Sequence, residues 1–146
     1  MAVALSVTGC KSTKVDRLFC SEPLQLDDVA AVIDPDGSLD APEVPAALRK
    51  SVLRYLFGAI CGKPVCDLFP EEADVRACEE GYLRARAILQ KKVRINYVSV
   101  GTVSGDAAIG LETDRGKRVF GVVFRRHADG SWLIFDPLQE AGRGVP

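Results

Sequence analysis

An α+β domain is predicted, with helices packed on one face of a four-stranded antiparallel meander. Two features carry this. Apolar residues recur with a helical period up to Leu89, and from Val93 the period drops to two. Three turn sequences then divide the second half into four short strands. The 146 residues are enough for one such domain.

Leu26 to Ile33 reads as a short helix, stopped by the turn chemistry of Asp34-Pro35-Asp36-Gly37. Asp34, Asp36, Ser38 and Asp40 alternate as ligands of a calcium loop do. The glycine falls too early for that and no closing Glu follows, so the run is read as a turn leading into a helix cap. The first main helix follows, with Asp40 as cap, Pro42 in the first turn and Glu43 completing a capping box; Pro45 moves the start later. Leu48, Val52, Leu56 and Ile60 recur at i+4 with Leu53 and Phe57 beside them, and Gly62 and Pro64 end the helix. The second main helix starts near Pro70. Glu71, Glu72 and Asp74 suit its positive end; Arg84, Arg86, Lys91 and Lys92 suit its negative end and, with Arg94, form a basic cluster read as a solvated helix end. Val75, Cys78, Tyr82, Ala85 and Leu89 form its inner face.

The strands are 93–100, 107–113, 117–125 and 131–135. Gly121 marks a bulge that curves the sheet, Asp129-Gly130 makes the last hairpin, and Asp136-Pro137 ends the final strand. The chain therefore divides into 1–10, a loop-rich segment 11–41, the α+β domain 42–138 and a loose tail 139–146. Tyr82, Tyr97 and Trp132 are assigned to the core. Trp132 is placed opposite Phe120, Val122 or Phe124.

This order resembles the NTF2-like and cystatin-like folds. The resemblance is carried by residues 122–134, a strand, an Asp-Gly turn and a Trp-containing strand. It implies helices in the concave side of a curved sheet.

Val7-Thr8-Gly9-Cys10, after a charge-free start, resembles a bacterial lipobox. The resemblance implies that residues 1–10 are a signal-peptide remnant and that Cys10 is acylated. It also implies a periplasmic domain anchored to the envelope, with the outer membrane favoured because Lys11 rather than Asp follows. The missing basic segment would then lie upstream. The alternative reading takes Val3, Leu5 and Val7 as one face of a strand in a cytoplasmic protein.

With Cys10 acylated, Cys20, Cys61, Cys66 and Cys78 remain, an even number suited to two disulfides in an oxidising compartment. Three pairings are open. Cys61 and Cys66 flank the turn-prone Gly62-Lys63-Pro64-Val65, which favours Cys61–Cys66 and leaves Cys20–Cys78. The Cys-x4-Cys spacing and the two isolated cysteines do not make a zinc site, and no metal is expected.

A net charge of -1 and a pI near 5.9 argue against nucleic-acid binding. No apolar run has the 18 residues of a membrane span. No Gly-x-Ser-x-Gly, His-Glu-x-x-His, P-loop or dinucleotide fingerprint occurs. The glycine pair in 101–105 lacks the phosphate-loop lysine. The single histidine, His127, falls by a hairpin tip, and Glu79 and Glu80 point to different helix faces. No enzyme activity and no cofactor are expected. The function read from these features is an envelope lipoprotein that binds another protein, of the secretion-apparatus or toxin-immunity kind. The alternative is a small-molecule-binding module with a pocket between helices and sheet.

Overall fold

The computed structural model describes residues 20, 25–63, 65–70, 75–89, 93–101, 105–113 and 119–140. Three α-helices, α1 (Leu26–Ile33), α2 (Ala46–Cys61) and α3 (Val75–Ile88), precede β1 (Val93–Val100), β2 (Asp106–Thr113), β3 (Val119–Arg126) and β4 (Trp132–Glu140). The strands form one antiparallel sheet in the order β1-β2-β3-β4, with the helices on one side of it. The α+β class expected from the sequence is the fold observed.

Val29 and Ile33, four residues apart on α1, are buried, as is Leu39 in the short 3-10 turn Ser38–Asp40. The core thus takes in part of the segment read as loop-rich. Asp34 explains the turn between them. Its buried carboxylate accepts the backbone N–H groups of Ser38 and Leu39, each at 2.8 Å. The alternating acidic run is a turn held by a carboxylate.

The capping box at Asp40 does not form. Pro45 disfavours helical geometry at Val44, so α2 begins at Ala46 with Pro45 as its cap. Asp40 instead pairs with Arg49 at 3.1 Å, and Arg49 also reaches Asp27 at 3.1 Å, tying α1 and the 3-10 turn to α2. At the far end Gly62 takes φ 69°, and Lys63 N–H bonds the carbonyl of Gly58 at 2.8 Å. A Cβ on Gly58 would stand 2.6 Å from the Lys63 carbonyl oxygen, so only glycine allows the chain to double back this closely.

Two disulfides follow from that reversal, and their pairing corrects the expectation. Cys20 is joined to Cys61 and Cys66 to Cys78, with Cα separations of 5.5 and 5.7 Å. Cys61 ends α2 and stays there. The reversal over Gly58 carries the chain to a second 3-10 turn, Cys66–Leu68, which faces the inner side of α3 where Cys78 is buried. Cys61–Cys66 and Cys20–Cys78 are not formed.

The core between helices and sheet is built around Tyr55, fully buried on α2. Its ring meets Phe124 edge-on at 6.0 Å between centroids and Tyr82 of α3 at 5.4 Å. The Tyr82 hydroxyl donates to the Val65 carbonyl at 3.2 Å, and the Tyr55 hydroxyl accepts the Leu138 N–H at 3.4 Å. Burial raises both phenols, Tyr55 to about 12.

β4 does not end at Asp136-Pro137. It runs on to Glu140, and Leu138 is buried. The register shifts twice between Gly121 and Phe124, with the extra residues on β4. Pro137 is accommodated because β4 is an edge strand and is bulged there. The bulge expected at Gly121 lies instead on the facing strand β4, and residues 139 and 140 belong to the sheet rather than to a tail. Trp132 is buried as expected but lies opposite Arg126. The hairpin closes through His127 N–H to Ser131 and Gly130 N–H to His127, which sets Ile134 rather than Trp132 against Phe124.

Candidate functional site

The helices cover the face of the sheet that carries Ile95, Ile109, Phe124 and Ile134. Among the described residues the opposite face has no covering layer. Its centre is a cross-strand row, Tyr97, Gly110, Gly121 and Gln139, on β1 to β4.

Tyr97 reaches this face through a bulge. The β1–β2 register shifts between Ile95 and Tyr97, so Asn96 is an extra residue. In an unbulged strand Ile95 and Tyr97, two residues apart, would share a face. With the extra residue Ile95 turns into the core and Tyr97 turns out, 51% exposed. The core assignment of Tyr97 is thus corrected: strict alternation cannot foresee a bulge. The Tyr97 ring lies across Gly110, where a Cβ would overlap both the ring and the Asn96 side chain.

The other flank is built by Arg125. Its Nε and Nη2 donate to the two Asp106 oxygens at 2.8 and 3.2 Å, and its guanidinium stacks over the Phe135 ring at 3.5 Å from the centroid. The Arg125 hydrogen bonds hold the Asp106 carboxyl below the usual carboxylate range, and Asp106 in turn raises Arg125. Phe135 is 47% exposed. Between the two aromatic flanks lie Ala108 and Val123, both half-buried. The result is a patch of four small residues, Ala108, Gly110, Gly121 and Val123, bordered by Tyr97 on one side and by Phe135 with its fixed arginine on the other, with Ser99, Asp136 and Gln139 ending its cross-strand rows. Aromatic and arginine side chains of this kind anchor protein interfaces.

The residues singled out in the sequence do not converge on chemistry. His127 is exposed in the hairpin, and Glu79 and Glu80 are exposed on α3, Glu80 paired with Arg76 at 3.3 Å. The basic cluster is dispersed: Arg86 lies on Gly62, Arg94 pairs with Asp36 at 2.6 Å, and Lys91 and Lys92 lie outside the described residues. Cys10 and the acidic start of the second main helix also lie outside them. Among the described residues no three His, Cys, Asp or Glu side chains group as metal ligands, and no helix is long and apolar enough to cross a membrane. Tyr55, Leu56, Tyr82, Phe124 and Ile134 are buried between helices and sheet. No family model, curated protein or solved structure matches the chain.

Proposed function

We propose that this is a cell-envelope lipoprotein, acylated at Cys10, whose NTF2-like or cystatin-like domain binds a protein partner through the open face of its sheet. The observation that carries the binding role is the pair of half-exposed aromatic rings, Tyr97 and Phe135, flanking a patch of small residues on the sheet face opposite the helical layer. The two disulfides support an oxidising compartment and so the envelope location. Val7-Thr8-Gly9-Cys10 supports the anchor. Labelled palmitate should enter the wild type and not Cys10→Ser when the gene is expressed with its upstream sequence; equal labelling of both refutes the anchor. The mature protein should capture a partner from envelope extract. The Tyr97→Asp/Phe135→Asp variant, folded by circular dichroism, should capture at least tenfold less, the loss expected of about 1.4 kcal/mol at an interface. Undiminished capture refutes the assignment of this face.

A further inference from the structure

The two edges of the sheet differ. β4 is bulged and carries Pro137, whereas β1 keeps a regular register from Tyr97 onward and has no charged side chain between Tyr97 and Gly101. Which of its backbone groups face outward follows from the hairpin to β2. Gly101 N–H donates to the Asp106 carbonyl at 2.7 Å, so Gly101 turns towards β2. The alternation of an antiparallel pair then turns Ser99 and Tyr97 the same way and Val98 and Val100 the other. The N–H and C=O groups of the two valines therefore point away from the sheet, and among the described residues none bonds them there. We infer that this edge pairs with the same edge of a second copy of the chain, antiparallel about a two-fold axis through Ser99. The inference rests on neither the lipid anchor nor capture of a partner.

Three observations select a second copy as the occupant. The first is register. Pairing centred on Ser99 sets Val98 against Val100 of the second copy and Val100 against its Val98, so every outward group of both valines gains a partner. Centring on Val98 would set Val100 against Asn96, the extra residue of the bulge. Centring on Val100 would reach past Gly101, whose carbonyl already accepts the Gly105 N–H at 3.2 Å. The second is the side chains. Val98 and Val100 lie on the helical side against Ile109 and Ala107, both half-buried, and the added strand brings an identical apolar pair beside them. On the open face Tyr97 meets Gly101 of the second copy, where no side chain obstructs the ring. The third is charge. The chain carries a net charge of -1, so two copies approach with little repulsion, and the segment 97–101 has none of the lysines or prolines that shield solitary edges. The start of β1 stays outside the contact, where Arg94 holds Asp36 at 2.6 Å. The arrangement is isologous and closes at two copies. It also runs the two open faces together, so that the candidate site gains Tyr97 and Ser99 of the second copy.

The test uses the full chain carrying Cys10→Ser, so that no intermolecular disulfide mimics the contact. Sedimentation equilibrium from about 10 to 500 μM, a range suited to a small interface, should show reversible monomer–dimer exchange. The Val98 and Val100 amides should exchange with solvent about threefold or more slowly at the top of that range than at the bottom. Ser99→Lys and Ser99→Glu each set like charges on Cα atoms about 4.5 Å apart across the axis. Each variant, folded by circular dichroism, should dimerise at least tenfold more weakly, and an equal mixture of the two should dimerise at least as well as the wild type. A wild type that stays monomeric, Val98 and Val100 amides already protected in the monomer, or charge variants that dimerise as the wild type does overturns the inference. So does loss of the dimer in Phe135→Asp, which would place the contact on the open face instead of the edge.

Discussion

Replacing Cys20 and Cys61 together by serine removes a crosslink that spans 41 residues of sequence. Chain-entropy arithmetic assigns such a loop about 3.9 kcal/mol, against about 2.8 kcal/mol for the 12-residue span of Cys66–Cys78. Both Cys20 and Cys61 are half-buried, so serine leaves no deeply buried hydroxyl and the loss should come mainly from the unfolded state. Urea unfolding followed by circular dichroism should show a stability lower by about 3–4 kcal/mol, with Tm down by about 12 °C for a domain of this size. Cys66→Ala/Cys78→Ala should lose the smaller entropic contribution and, in addition, some packing, because Cys78 is buried. Mass spectrometry of the unreduced wild type must agree. The digest needs a protease that cuts within 62–65, which trypsin does not, since Pro64 follows Lys63. A peptide in which Cys61 is linked to Cys66, or a Cys20→Ser/Cys61→Ser protein within about 1 kcal/mol of wild type, would refute the reasoning.

Trp132→Ala should cost about 3–5 kcal/mol in the same assay, because the ring is 2% exposed, while His127→Ala should change stability by no more than about 0.5 kcal/mol; similar values for the two would contradict the burial pattern. The raised Tyr55 phenol predicts alkaline instability. The unfolded chain ionises this group near pH 10 and the native one near 12, so its contribution is whole below pH 10 and falls by about 1.4 kcal/mol per pH unit up to 12. Absorbance of the Tyr55 and Tyr82 phenolates should accordingly rise together with loss of ellipticity, and ionisation of both well before unfolding would be inconsistent with their burial. Gly110→Ala should displace the Tyr97 ring, moving its ring resonances while leaving Tm within about 4 °C, because the obstructing side chains, Tyr97 and Asn96, are exposed and can turn towards solvent. Unmoved Tyr97 signals would show that the ring does not rest there.

The helical and strand periods were legible because they follow from what must be buried. The i+4 apolar series of α2 and the alternation along β2 and β3 give their elements directly. What the sequence hid is what depends on a single inserted residue or on the path of the chain. One extra residue at Asn96 moves Tyr97 from the buried side to the outer side, and the candidate site hinges on it. The polar Asn between Ile95 and Tyr97 is compatible with either arrangement. The disulfides were hidden for a similar reason. A turn-prone segment between two cysteines says that the chain bends, and only the tight reversal over Gly58 says where it goes next. Pro137 read as a stop because its missing N–H cannot join a regular ladder, whereas an edge strand with bulges can absorb it.

The contact between Tyr55 and Leu138 has a consequence for crowded surfaces. A sheet edge is a template on which identical chains can add strand to strand and polymerise. Along β4 that template is broken twice: Pro137 offers no donor, and the next N–H, that of Leu138, is turned inward to a hydroxyl on α2. Two neighbouring positions of the outer strand are thereby withdrawn from intermolecular pairing. Copies held at high density in two dimensions meet edge to edge far more often than copies in dilute solution. For such a population, a phenol in the core acts as a guard against fibre growth at the rim.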